Sequence, residues 1–237
     1  MSTLGILGEV WTAIADNPDR FTGALETHLR LSGSALVLAL LIFVPLGVLV
    51  NKTRIVGPGI LGVVSAARVV PSLAIVFLGY SVIGTGYQTA LIALVVLAGP
   101  PLVINTDAGL RSVSASVREN AKGLGMTPVQ AFFRVEVPLA LPVIIGGVRA
   151  AAIEIIASAA VAAFIGVRTL GLYLTSGIST LNDVELLTGA IPIAILALLT
   201  EVILAGFQRA VTPPEQPGRS SRARRLWPFR AAPAPGR

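Results

Sequence analysis

The chain has 237 residues, of which 54% are hydrophobic and 13% charged, with a mean hydropathy of +0.82. A water-soluble domain carries about a quarter charged residues, so the bilayer, not water, is the solvent this composition suits. The absence of cysteine and the single histidine exclude disulfides, thiolate chemistry and a histidine metal cluster, and the net charge of +6 lies beside apolar runs, with six arginines in the last 27 residues, rather than in a nucleic-acid-binding patch.

Residues 1–29 contain Glu9, Asp16 and Asp19 and lack a basic start, so they do not read as a cleaved signal peptide. Leu7, Val10, Trp11 and Ile14 recur at helical spacing. Two alternatives stand: a short amphipathic helix at the outer interface with Trp11 at headgroup level, or a loosely ordered arm. His28 is expected as an interfacial polar residue ahead of the first span. Residues 31–50 are free of charge for twenty positions, the length that crosses a hydrocarbon core of about 30 Å. Pro45 inside this run is tolerable where neighbouring helices re-satisfy the backbone.

A second run covers 57–83 and is interrupted by Arg68 and Pro71; GTGYQ at 84–88 reads as a tight turn. A third run, 89–106, contains Pro100 and Pro101. A polar stretch follows to about 138, then a fourth run at 139–166, a Gly-rich loop at 167–185 and a fifth run at 186–208. The chain therefore divides into an outer or interfacial segment 1–29, a membrane domain 30–209 and a basic tail 210–237, which holds six of the sixteen prolines and is expected to be disordered. The tail's arginines around Trp227 and Phe229 suit either anionic lipid or plain solvent.

Lysine and arginine counts orient the five spans. Lys52 and Arg54, then Arg111, Arg118, Lys122 and Arg134, and the tail fall on one side; Arg20, Arg30 and Arg168, diluted by acids, fall on the other. The positive-inside bias places the first set in the cytoplasm, with the N-terminus outside and the C-terminus inside.

The polar loop 107–138 is too long for a simple turn. Ser116 to Glu119 and Thr127 to Gln130 both have the spacing of a capping box, Pro128 suits a first helical position, and Gly123 and Gly125 punctuate two short helices. Val129, Phe132 and Phe133 fall on one face of the second. Such an apolar knob either docks into a groove of a soluble partner or anchors the loop on its own bundle.

The loop resembles the EAA loop of bacterial ABC-importer permeases. Glu119-Asn120-Ala121 stands as the triplet, Gly125 lies four positions on, and Val135-Glu136-Val137-Pro138 begins ten residues beyond that. Asn120 departs from the usual alanine. The stretch ENAKGLGMTPVQAFFRVEVPLALPVIIGGVRAA, with HLRLSGSALVLAL, VVPSLAIVFLG, AAFIGVRTLGLY and LLTGAIPIAILALL, is similar to permeases for glycine betaine, proline betaine, choline or carnitine, over about residues 28–208. The resemblance implies an all-α membrane protein of about five spans in the type I (MetI-like) ABC-importer permease fold, with a cytoplasmic coupling helix. It implies two permeases, either two copies or two related chains, a cytoplasmic ATPase dimer and a separate extracytoplasmic binding protein, in a bacterial inner membrane. Glu119, Ala121, Gly125 and Pro138 inherit the coupling role, with Val129, Phe132 and Phe133 as the apolar contacts. This chain needs no cofactor, since ATP and Mg are held by the partner ATPase; no Gly-x-x-x-x-Gly-Lys-Ser/Thr segment occurs in it.

Charges within apolar runs are expensive and informative. Arg149, near the cytoplasmic start of its span, is expected to snorkel, and Glu201 to face other helices. Arg68 and Glu154 fall in the second and fourth runs and form a candidate pair. Either they are structural, or Glu154 lines a passage with Arg68, Ser72 and Tyr80, where a carboxylate and aromatic faces such as Tyr80 and Tyr87 suit a quaternary ammonium. Gly146, Gly147, Ala150 and Ala151 suit close helix packing. Rival classes are a permease for another small solute, such as an amino acid or alkyl sulfonate, an ion-coupled secondary transporter, for which no convincing repeat is found, and a membrane enzyme, for which no catalytic constellation stands out.

Overall fold

The computed structural model describes residues 3–53 and 57–212. Arg54 and the tail beyond Thr212 lie outside the described residues. The described chain is helical throughout: α1 (Thr3–Asp16), α2 (Pro18–Lys52), α3 (Gly57–Ala67), α4 (Ser72–Ile83), α5 (Tyr87–Ser112), α6 (Ala115–Gly123), α7 (Pro128–Ala131), a π-helical turn (Phe132–Glu136), α8 (Val137–Ala159), a 3-10 segment (Ala160–Ile165), α9 (Gly171–Thr180) and α10 (Asp183–Val211). Four stretches are long and apolar enough to cross a membrane, and α3 with α4 makes a fifth if the bent pair is one span.

The bend in that pair is 96°. Pro71 at the start of α4 has no N–H and restricts the residue before it, so the helix cannot run through. Arg68 sits in the resulting turn. The second run is thus two short helices meeting at a corner rather than one rod.

Two other segments differ from the sequence expectation, and a third takes one of the two alternatives left open. Helix α2 begins at Pro18, not near residue 31, and its 35 residues run about 50 Å at the usual 1.5 Å rise, well beyond a hydrocarbon core. Residues 3–16 are the helical alternative, with Val10 turned inward and Trp11 exposed. The Gly-rich stretch 167–185 contains α9, because its glycines serve contact rather than flexibility. A Cβ on Gly171 would strike the Ala160 carbonyl, and one on Gly177 would lie 2.5 Å from the Leu186 backbone nitrogen.

The core sits where α2, α5 and α8 cross, around Leu31, Ala35, Leu94, Ala98, Leu102, Ala151 and Ile155. Small residues permit this approach. A Cβ on Gly99 would lie 2.8 Å from the Phe43 ring, and one on Gly147 would lie 2.5 Å from Asn105 Cβ. Of the small residues on α8, Gly147 and Ala151 are buried, while Ala150 is exposed. His28 is also in this core, fully buried, with Nε2 3.1 Å from the Ile156 carbonyl. It tethers α2 to α8, because α2 continues past it as packed helix.

Candidate functional site

The loop between α5 and α8 is a folded unit. Ser114, not Ser116, caps α6, its hydroxyl accepting from the Val117 N–H at 3.4 Å. Ser116 lies inside the first turn, two residues too late to cap. At the other end Gly125 has φ +78°, and two bonds close the helix: Met126 N–H to the Ala121 carbonyl at 3.2 Å and Gly125 N–H to the Lys122 carbonyl at 2.9 Å. This is the Schellman arrangement, which uses a left-handed residue at that position. Thr127 then starts α7 with both halves of a capping box, the Gln130 N–H to Thr127 Oγ1 at 3.3 Å and the Thr127 N–H to Gln130 Oε1 at 3.0 Å. Two short helices are thereby held at a fixed angle by local bonds alone.

The unit has an inner and an outer face. Ala121 and Ala131 are buried, and Val117 and Phe132 pack on the cluster of Leu110, Val113, Ala140 and Ile144. Leu124, Val129 and Phe133 project outward, 78%, 65% and 65% exposed. Glu119 and Pro138 are exposed as well. Phe132 therefore leaves the outer face assigned to it from helical spacing. It turns inward beneath the Lys52 ammonium, which lies 4.6 Å from its ring centroid, and meets Phe133 edge-on at 5.0 Å. The π turn widens the backbone between α7 and α8 at this point and sets the two phenylalanines on different sides.

Polar contacts anchor the inner face. Asp107, buried near the end of α5, accepts from Arg111 Nε at 2.8 Å and Asn51 Nδ2 at 3.1 Å. Arg118 of α6 donates to the Leu110 carbonyl at 2.6 Å and lies 3.3 Å from Glu136. The ends of α2, α5 and α8 thus converge under the knob.

The residues expected along a passage are not brought together by direct bonds. Arg68 is exposed in the corner between α3 and α4, Ser72 opens α4, Tyr80 is 45% exposed further along it, and Glu154 is half-buried on α8. The direct ion pairs among the described residues are Arg20–Glu185, Arg30–Glu26, Arg111–Asp107, Arg118–Glu136 and Arg149–Glu201, so Arg68 and Glu154 make no direct contact, although Arg68 is the charge that acts on Glu154 from nearby. Tyr87 bonds to Ser34 Oγ at 3.0 Å, across α2 and α5.

Arg149 does not snorkel. It forks onto both oxygens of Glu201 on α10, with Nε 3.2 Å from Oε2, and also bonds to Gln208, which donates to the Pro142 carbonyl at 2.7 Å. Arg149 is about 18 Å along α8 and Glu201 about 15 Å from the end of α10, at the usual rise per residue. Both distances run from the same membrane face. Equal depth and opposite sign were a signal available in the sequence. At the opposite end, Arg20 bonds to Glu185 at 3.1 Å and lies 4.8 Å over the Tyr173 ring, tying the start of α2 to α9 and α10. A recess of about 720 Å³ opens beside it, lined by Asp19, Arg20, Thr27 and Arg168 among others.

The chain is a bundle of apolar helices with a braced, apolar-tipped helical knob at one end. The chain belongs to the family of binding-protein-dependent transport system inner membrane components, which it matches over residues 35–214. It is a transport permease subunit and not an enzyme, ATP hydrolysis in ABC importers belonging to a separate subunit. It is 37% identical over 186 residues to a choline transport system permease protein of Bacillus subtilis, covering 78% of this chain and 86% of the relative. It is 33% identical over 207 residues to a glycine betaine/carnitine/choline transport system permease protein of the same organism, covering 87% and 95%. Among solved structures, an inward-facing MetNI methionine ABC transporter shares the fold with a TM-score of 0.71 at 22% identity, covering 81% of this chain and 96% of that one.

Proposed function

We propose that this chain is the permease of an ATP-driven importer for a small osmoprotectant such as choline, glycine betaine, carnitine or proline betaine. The substrate class is supported by the two relatives, whose names carry choline, glycine betaine and carnitine and which the chain matches over most of their length. It works with a cytoplasmic ATPase dimer that binds ATP and Mg, an extracytoplasmic substrate-binding protein, and a second permease, either another copy or a related chain. A two-subunit motor needs two coupling loops, which favours a paired permease.

The observation that carries the coupling role is the outer face of the loop. Leu124, Val129 and Phe133 are exposed on a unit whose inner face packs against three spans and is hydrogen-bonded to α5. An exposed apolar ridge on so firm a base suits a groove in a soluble partner. Glu119 lies exposed beside it, Ala121 and Gly125 hold its shape, Phe132 seats it on the bundle, and Pro138 leads into α8. The loop then faces the cytoplasm, in keeping with Lys52, Arg111, Arg118, Lys122 and Arg134 at that end, and the N-terminus lies outside. Arg68, Ser72, Tyr80 and Glu154 line the passage in this reading. The exposed corner of α3 and α4 and a half-buried Glu154 without an ion-pair partner among the described residues support it.

Site-directed crosslinking tests the proposal. The chain has no cysteine of its own, so Phe133→Cys and Ser179→Cys report cleanly in native membranes. Phe133→Cys should capture the ATPase and resist labelling from outside, while Ser179→Cys, exposed at the end of α9, should be labelled from outside and capture no ATPase. Outside labelling of Phe133→Cys would overturn both the docking role and the orientation.

A further inference from the structure

A docking knob moves the membrane spans only as far as its base resists rolling. The apolar contacts beneath Ala121, Val117 and Phe132 are non-directional and leave a short helix free to tilt. Direction has to come from polar groups, and on α6 one side chain supplies it. A terminal nitrogen of Arg118 donates to the Leu110 carbonyl at 2.6 Å, while its Nε lies 3.3 Å from Glu136 Oε2, an ion-pair contact off the hydrogen-bond line.

The two partners, one a hydrogen-bond acceptor and one an ion-pair contact, belong to different spans. Leu110 lies in the last turn of α5, where carbonyls have no donor within the helix. Glu136 closes the π turn that leads into α8. The backbone pattern changes at that turn from π to α, and the side-chain contact at Glu136 lies at the change. A guanidinium is suited to this task because its planar fork presents donors in two directions at once. An ammonium on a flexible stem is a point charge and holds one of the two partners well.

We propose that Arg118 is a positioning residue for energy coupling: it fixes the knob to the C-terminal end of α5 and the N-terminal end of α8, so that one displacement of the knob reaches both spans. The proposal rests on the coupling role given to the loop above. Glu119, the next residue, is exposed where Arg118 is half-buried and is free to meet the partner, so adjacent residues serve the partner and the bundle.

The test uses the complete transporter in proteoliposomes, with its ATPase and its loaded binding protein. Arg118→Lys keeps the charge and loses the fork; Glu136→Gln keeps the shape and loses the charge. Both variants should capture the ATPase at wild-type level and retain basal hydrolysis. Substrate imported per ATP should fall about tenfold, the scale of losing a hydrogen bond to a charged group. The reversed pair, Arg118→Glu with Glu136→Arg, should recover part of what Arg118→Glu alone loses. Wild-type import per ATP in Arg118→Lys, or no recovery in the reversed pair, overturns the proposal. So does loss of ATPase capture by Arg118→Lys, which would assign the residue to folding. If the wild-type chain captures no ATPase, the coupling reading itself fails, and that result is separate from any behaviour of the variants.

Discussion

Gly125 gives the sharpest perturbation of the coupling loop. Its φ of +78° is the left-handed conformation, and a Cβ there would meet no atom within 4 Å, so substitution strains the backbone without a steric clash. An ordinary L-residue in this conformation costs about 1–2 kcal/mol, and a β-branched one more. That cost falls on the two bonds that end α6, from Met126 and Gly125 to the Ala121 and Lys122 carbonyls. A destabilisation of about 1–2 kcal/mol shifts the balance between the formed and opened loop by about 5–30-fold. Gly125→Val should therefore insert normally, since no span is touched, yet hydrolyse ATP with little import. Gly125→Asn should stay close to wild type, because asparagine tolerates the left-handed region. The assay is import per ATP in proteoliposomes, with amide exchange at residues 121–126 as the structural readout. Tight coupling and unchanged exchange in Gly125→Val would refute the reasoning from backbone conformation.

Other expectations follow from single contacts. Arg149→Leu or Glu201→Leu alone leaves an uncompensated charge within an apolar run and should lower the unfolding midpoint, whereas replacing both with apolar residues should lower it far less; thermal unfolding in detergent distinguishes the two. Gly147→Leu should abolish folded protein, because even a Cβ there lies 2.5 Å from Asn105 Cβ and 2.8 Å from the Pro101 carbonyl; membrane yield and monodispersity report it. His28→Ala removes the tether to the Ile156 carbonyl and should cost about 1 kcal/mol for the bond plus its packing, seen as a lower unfolding midpoint.

The spans were legible because hydrocarbon thickness fixes how long an uncharged run must be. The loop's glycine turn and its second capping box were legible because local bonds between near neighbours determine them. Features set by contact between distant segments were not. The Gly-rich stretch before α10 read as a loop, yet Gly171 and Gly177 are small because other backbone crowds them. Phe132 shares a helical face with Val129 by spacing alone, but Lys52 and the base cluster draw it inward. The 96° corner was signalled by Pro71 and Arg68, although its angle is not written in either residue. Arg68 and Glu154 looked like a pair because both interrupt apolar runs, whereas the pair that forms is Arg149 with Glu201, two charges at matching depth on adjacent helices.

Uptake of labelled choline or glycine betaine into proteoliposomes holding this permease, its partner ATPase and its binding protein tests the central claim most directly. The account predicts uptake that requires ATP and every partner, and that an imposed ion gradient does not replace. Uptake by the permease alone under an ion gradient, indifferent to ATP and to the ATPase, would contradict it.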